Sequence, residues 1–140
     1  MSVTISNAKL SARIIDTGAE LKSLVEKSTG CEYIWQSDPA HWGGAAPILF
    51  PIIGGLKNGE YSYRGKKYSM GGHGIVRKAE WKMVDSSAAS ATFETVSSDE
   101  TKKQYPFDFA LRASFTLEDT SLAVGYEVKN TGSDEMFFSI

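Results

Sequence analysis

A strict two-residue alternation limits this chain more than any other feature of its sequence. In "FALRASFTL" the apolar residues Phe109, Leu111, Ala113, Phe115 and Leu117 fall on one side, with polar or small residues between them. "LAVGYEV" repeats the pattern with Leu122, Val124, Tyr126 and Val128. A period of two suits a half-buried strand and cannot build the stripe of an amphipathic helix. Glu118, Asp119 and Thr120 separate the two runs and read as a hairpin. "EYSYRGKKYSM" reads as a second hairpin with Arg64-Gly65 near its turn, and "AEWKMVD" with "SATFETV" as a third across 86–89. "VTISN", "LSARIID", "ELKSLVEK" and "EYIWQ" read as further short strands. Only "SSDETKKQY" has helix signals, with a Ser or Asp cap and Pro106 as a stop. Many short strands predict an all-β chain, an antiparallel sandwich or barrel.

With 140 residues the chain fits one domain. A net charge of −2 supplies no basic field, so nucleic acid is not an expected partner. The single cysteine, Cys31, cannot form an intrachain disulfide. That fits a reducing compartment. "MSVTISNAKLSARII" has no apolar signal-type segment, and no run approaches the roughly 20 apolar residues of a membrane span. A cytoplasmic location without a membrane partner is therefore expected.

Two segments depart from the regular pattern. "HWGGAAPILFPIIGGLKNG" is apolar, glycine-rich and interrupted by Pro47 and Pro51. Proline cannot donate to a ladder, so this stretch is expected to cross the domain as buried, irregular chain beside a cleft. "NTGSDEMFFSI" reads as a turn and a last strand with Met136, Phe138 and Ile140 on one face. The chain stops inside that apolar run, which suggests a truncated domain. An unpaired apolar strand there would also offer an edge for a homo-oligomer.

Most familiar chemistry is missing from the sequence. One cysteine and two distant histidines do not supply structural zinc spacing, and no metal site is expected. "GGHG" lacks the lysine and following helix of a phosphate loop, and there is no Gly-x-Ser-x-Gly elbow. His73 is left, in "SMGGHGIVRKAEW". An isolated histidine in a turn is usually structural or solvated. Against that, Gly71, Gly72 and Gly74 allow a ligand to approach the backbone, and Arg77 stands four residues on. Aromatic residues are dense around it (Trp35, Trp42, Phe50, Tyr61, Tyr63, Tyr68, Trp81), and most of these are expected in the core.

The stretch "WGGAAPILFPIIGGLKNGEYSYRGKKYSMGGHGIVRKAEW" resembles the LacX-like branch of the aldose 1-epimerase (galactose mutarotase) family. The family pattern, Trp-Gly-x-x-Ala-Pro-x-Leu-Phe-Pro-Ile-x-Gly and later His-Gly-Phe-Ala-Arg, stands here as Trp42-Gly43, Ala46 to Ile52, Gly54, and His73-Gly74-Ile75-Val76-Arg77. "GAELKSL", "EYIWQSDPAHWG", "YPFDFALR" and "YEVKNTGSDEMFFSI" extend the match over nearly the whole chain. The resemblance implies the N-terminal half of a galactose mutarotase-like β-supersandwich, so that residues 1–140 form one incomplete domain. It implies interconversion of the α and β anomers of a free aldose, such as galactose or glucose, without a cofactor. A glutamate base takes the anomeric hydroxyl proton while a histidine acid protonates the ring oxygen. His73 matches a third, assisting residue that binds the sugar and polarises its ring oxygen, and Arg77 matches a substrate-binding position.

The departures from the pattern bear on activity. The family's acid histidine follows a segment like "MFFSI", in a Gly-Gly-His-Pro motif, and its base lies further on, so neither is in this chain. Gly44 and Gly55 stand where basic residues usually do. Glu127 should face solvent, opposite Tyr126 and Val128, and so cannot substitute for the base. The expected function is an aldose 1-epimerase-like chain that is inactive or weakly binds a monosaccharide (an aldohexose or its phosphate). The alternative is a non-catalytic carbohydrate-binding or oligomeric structural module.

Overall fold

A computed structural model describes residues 1–140. β1 (Ser2–Ser6), β2 (Leu10–Ile15) and β3 (Leu21–Glu26) form one antiparallel sheet in that order. β4 (Glu60–Tyr63) and β5 (Lys66–Ser69) form a hairpin. β6 (Lys82–Ser86), β7 (Ser90–Val96), β8 (Phe109–Glu118) and β9 (Ser121–Asn130) form a four-stranded antiparallel meander. The only α-helix, α1 (Asp99–Gln104), is a single capping-box turn. Ser98 accepts from the Thr101 amide, and the Thr101 hydroxyl accepts from the Ser98 amide.

The alternation read from the sequence supplies the core. Leu10, Ala12 and Ile14 of β2 and Ile5 of β1 meet Ala91 and Phe93 of β7 and all five alternating residues of β8 in one continuous buried cluster. This is a two-sheet sandwich, and large faces small within it. Phe93 is paired across the ladder with Ala113, and Phe115 with Ala91. The two phenyl rings then meet edge to face at 6.3 Å. On the outer face Glu94, Arg112 and Glu127 lie in one cross-strand row. Arg112 binds Glu94 at 2.6 Å and approaches Glu127 at 3.7 Å. Glu127 is exposed on that face, as expected.

Three sequence expectations fail, for different reasons. "EYIWQ" is not a strand and makes only an isolated bridge, Val25 to Glu32. The Glu32 carboxylate accepts from the amides of Leu24 and Ile34, so a side chain takes the donors a ladder would use. "NTGSDEMFFSI" is also not a strand. Its polar start folds back through Thr131 N–H to Asp108 O and Asn130 Nδ2 to Asp134 O. Its apolar end is held by side-chain packing and by Ser139 N–H to Pro51 O. The strand edge suggested there for self-association is absent, and the open edges of the meander belong to β6 and β9. Finally, β9 is less buried than its alternation implies. Leu122 and Val128 are partly buried, but Val124 and Tyr126 are exposed.

The central segment is irregular, as expected, but only its middle is buried, and Trp42 and Ile53 are exposed. Residues 42–56 contain no strand, yet Ile48 and Phe50 are buried, and isolated bridges join Ala46 to Leu21 and Phe50 to Gly74. Beside it opens an apolar cavity of about 380 Å³, walled by Ile52, Tyr61, Tyr63, Tyr105, Phe107 and Phe137. Tyr61 Oη donates to Gln104 O at 2.8 Å and Tyr105 Oη to Phe137 O at 2.9 Å.

Burial pushes the Tyr61 phenol up to about 12, helped by the neighbouring Tyr68, and raises Tyr105 as well. In the unfolded chain both ionise near pH 10. The folded state then holds these protons more tightly, so their contribution is complete below about pH 10 and lost as pH rises from about 10 to about 12. Urea midpoints measured across that range should fall steeply, and Tyr105→Phe should flatten part of the fall. A midpoint that stays constant to pH 12 would contradict this.

Candidate functional site

The glycine-flanked histidine is held by its own backbone. His73 has φ +67°, in the left-handed region, which histidine tolerates better than most residues but which still costs energy. His73 N–H donates to Gly54 O at 2.7 Å, and Gly54 N–H donates back to His73 Nδ1 at 3.1 Å. The ring is therefore clamped to the end of the "FPIIG" segment. Gly74, at φ +76°, brings the turn against that segment, and a Cβ there would lie 2.0 Å from Phe50 O. Ile75 N–H completes the contact by donating to Phe50 O at 2.8 Å.

The clamp has a chemical consequence. A ring nitrogen that accepts from an amide carries no proton, so the neutral imidazole bears its proton on Nε2. His73 thus presents a single N–H donor away from Gly54, suited to an oxygen acceptor. Long-range ¹H–¹⁵N spectra of the neutral ring should show a protonated Nε2 and a bare Nδ1. The opposite tautomer would remove the clamp from the account.

Arg77 is partly exposed, and its side chain makes no hydrogen bond or ion pair within the chain. Its main chain is fixed by the loop 16–20: Gly18 N–H donates to Ala79 O at 2.8 Å, and a Cβ at Gly18 would lie 2.5 Å from Arg77 O. His73 and Arg77 share one turn-rich segment, but no main cavity is lined by either. Both side chains are partly exposed. Of the aromatic residues singled out in the sequence, Phe50, Tyr68 and Trp81 are buried, while Trp35 and Trp42 are exposed.

The two glycines that replace basic residues differ in their surroundings. A side chain at Gly55 would meet nothing within 4 Å, whereas at Gly44 it would meet the Trp42 ring at 2.5 Å. The last residues of the chain run back to the same place. Ser139 binds Pro51, three residues before Gly54, and the Phe138 ring packs on Phe50 at 5.6 Å.

Sequence reasoning assigned no role to Glu20, which is buried. One of its oxygens accepts from the amides of Ala45 (2.6 Å) and Ala46 (3.1 Å), and the other binds Lys22 at 2.9 Å. Lys22 in turn donates to Ser37 Oγ and Gly43 O. This clasp fixes the 43–46 backbone that leads into the central segment. The available signal was an acidic and a basic residue two apart at the start of an apolar strand, where both share one face.

Comparison with known proteins agrees with this arrangement. The sequence profile described as aldose 1-epimerase matches residues 1–140. The plasmid-encoded protein LacX of Lactococcus lactis subsp. lactis is 34% identical over 140 residues, covering 96% of this chain and 46% of LacX. A galactose mutarotase-like protein from Lactobacillus casei superposes with TM-score 0.95 at 39% identity, over 97% of this chain and 46% of that one. A galactose mutarotase related enzyme from Lactobacillus acidophilus gives TM-score 0.97 at 40% identity, over 99% and 46% respectively. The chain spans about half the length of the curated relatives it matches. With the profile matched from the first residue to the last and the fold superposing on such neighbours, the chain belongs to the aldose 1-epimerase family.

Proposed function

We propose that this chain carries the assisting, sugar-facing part of an aldose 1-epimerase-type site and does not interconvert anomers by itself. The observation that carries the reading is the Gly54–His73 clamp, which leaves Nε2–H as a fixed donor for a sugar ring oxygen. Arg77, free of partners within the chain, supplies a second donor for a hydroxyl or phosphate oxygen. The ligand is a free aldohexose or its phosphate, met in the cytoplasm.

Anomer exchange needs a base at the anomeric hydroxyl and an acid at the ring oxygen, acting on opposite sides of the bond that opens. His73 polarises the ring oxygen in this scheme without delivering the proton. The acid histidine and base glutamate of the family pattern have no counterpart in these 140 residues. The absence of either role typically costs about 10²–10⁴-fold. Glu127, the one carboxylate considered as a substitute, faces outward beside Arg112.

Polarimetry on fresh α-glucose and α-galactose tests the catalytic half of the reading, with no acceleration expected. Equilibration that scales with protein concentration would overturn it. Calorimetric titration with galactose, glucose and their 6-phosphates tests the binding half. Weak millimolar binding, lost in His73→Asn, is expected. No heat from any of the four sugars would leave the non-catalytic structural module as the better description.

A further inference from the structure

We infer that a polar pocket on the outer face of the first sheet binds a small polar α-amino acid, with the ligand carboxylate on Arg13 and its ammonium group on Glu32. The inference does not rest on the sugar reading, since the pocket shares no residue with the His73 turn.

The pocket is made by a bulge. Arg13 pairs with Ser23 and Ile14 with Leu21, so Lys22 is an extra residue in β3. Ala12 and Ile14 are buried in the core, which turns Arg13, between them on β2, to the outer face. A bulge breaks the alternation of its own strand and re-aims a side chain. Lys22 and its neighbour Ser23 accordingly line the same pocket as Arg13. The chain after β3 supplies the other wall with Glu32, Gln36 and Ser37, around a volume of about 270 Å³. Ser37 has φ +57°, in the left-handed region, and its Oγ accepts from Lys22. Ile15 is the only apolar residue of the wall, so the pocket suits a polar ligand.

The charges of the wall are unequally occupied. Lys22 Nζ already serves Glu20 Oε2 at 2.9 Å, Ser37 Oγ at 3.2 Å and Gly43 O at 3.3 Å, which uses all its protons. Among the arginines, only Arg64 and Arg112 have side-chain hydrogen bonds or ion pairs within the chain. Every donor of Arg13 is therefore open. Glu32 Oε1 accepts from the amides of Leu24 and Ile34, and Oε2 from the Ser23 hydroxyl. A carboxylate has about four lone-pair sites, so one is left on Oε2. Burial raises the Glu32 pKa, but the bonds from Ser23, Leu24 and Ile34 outweigh that and hold it below the ordinary carboxylate value. Glu32 is thus anionic at neutral pH, and it forms no ion pair with Arg13 or any other cation.

One open cation and one open anion on either side of Ser23 define the ligand. A simple anion would gain at Arg13 but meet the Glu32 charge, and a simple cation would meet the reverse. A neutral polyol would bond to both groups and compensate neither. An α-amino acid carries both charges on one carbon, and hydrogen bonds between charged partners are the stronger ones. The Ser37 O–H, which accepts from Lys22 and is free to donate, and the Gln36 Oε1 remain for a polar side chain on the ligand.

Isothermal titration of the chain with L-serine and L-glutamine tests this, with acetate, methylamine and glucose as ligands that carry one feature each. Binding of an amino acid at about millimolar Kd or tighter is expected, at least about tenfold tighter than acetate or methylamine. Arg13→Gln removes the cation at an exposed position, so the fold should melt within about 3 °C of the parent while binding weakens about tenfold or more. Glu32→Gln keeps an oxygen for the two amides and removes the charge, and should weaken binding to a similar degree. No heat from either amino acid, acetate binding as tightly as the amino acids, or unchanged binding by Arg13→Gln would overturn the inference. Glucose binding that is lost in Arg13→Gln would also overturn it, assigning the pocket to a neutral sugar. The sugar reading at His73 is decided by a different variant, so the two can fail separately.

Discussion

Phe50→Ala is expected to remove most of the stability of this chain. Phe50 is fully buried and lies within 6 Å of three other aromatic rings: Phe109 at 5.1 Å, Phe138 at 5.6 Å and Tyr105 at 5.8 Å. Truncating such a residue typically costs about 3–5 kcal/mol, combining lost transfer energy with the cavity left behind. Domains of this kind have about 5–15 kcal/mol in total. The position is also where three parts of the chain meet: the irregular central segment, β8 and the last residues. Rings on three sides cannot all move into one cavity, which puts the cost toward the upper end. Urea unfolding followed by tryptophan fluorescence should show the midpoint collapsing toward zero denaturant. A loss below about 1 kcal/mol would mean that the central segment is not part of the core.

The second large effect is expected from Gly74→Ala. The added methyl would lie 2.0 Å from Phe50 O, 2.4 Å from Phe50 C and 2.7 Å from Pro51 N, all backbone atoms. The left-handed φ of +76° adds strain for any residue with a Cβ. Together these should cost about 3–5 kcal/mol, or force the 71–75 turn away from the central segment. In the second case the Gly54–His73 clamp opens, and the fixed Nε2–H tautomer disappears from the spectrum before the chain unfolds. Gly55→Ala is the matched control. Its added carbon meets nothing within 4 Å and its φ is not left-handed, so it should be neutral or stabilising by up to about 1 kcal/mol. Equal effects at the two glycines would show that close approach at Gly74 is not what holds the turn.

Legibility differed from element to element along the chain. β8 could be read residue by residue, because each of its five alternating apolar residues is buried in the core. The Arg64-Gly65 hairpin could also be read: both residues have positive φ, as a two-residue turn with the twist of its strands requires. β9 has the same alternation as β8, yet two of its apolar side chains are exposed. Alternation states which side of a strand is apolar, and says nothing about whether a second layer stands over it. "EYIWQ" lies beside the outer edge of β3, yet the Glu32 carboxylate takes the Leu24 and Ile34 amides and only one bridge forms, while "EMFFSI" is held by side-chain packing and by Ser139 N–H to Pro51 O and pairs with no strand.

At the candidate site, the sequence singled out His73 and Arg77 and, through family resemblance, suggested a role for each. Local pattern alone determined the all-β class, most strand positions, the capped turn of α1 and the irregular character of the central segment. These follow from side-chain period, turn chemistry and the missing amide of proline, which act within a few residues. Only the tertiary structure decided that Gly54 clamps His73 into one tautomer, that Glu20 holds the 43–46 backbone, and that β9 keeps an uncovered face. The first two join groups 19 and 25 or 26 residues apart, and the third depends on what does or does not pack above a sheet. Contacts at that separation are set by how layers stack, and local pattern does not encode stacking.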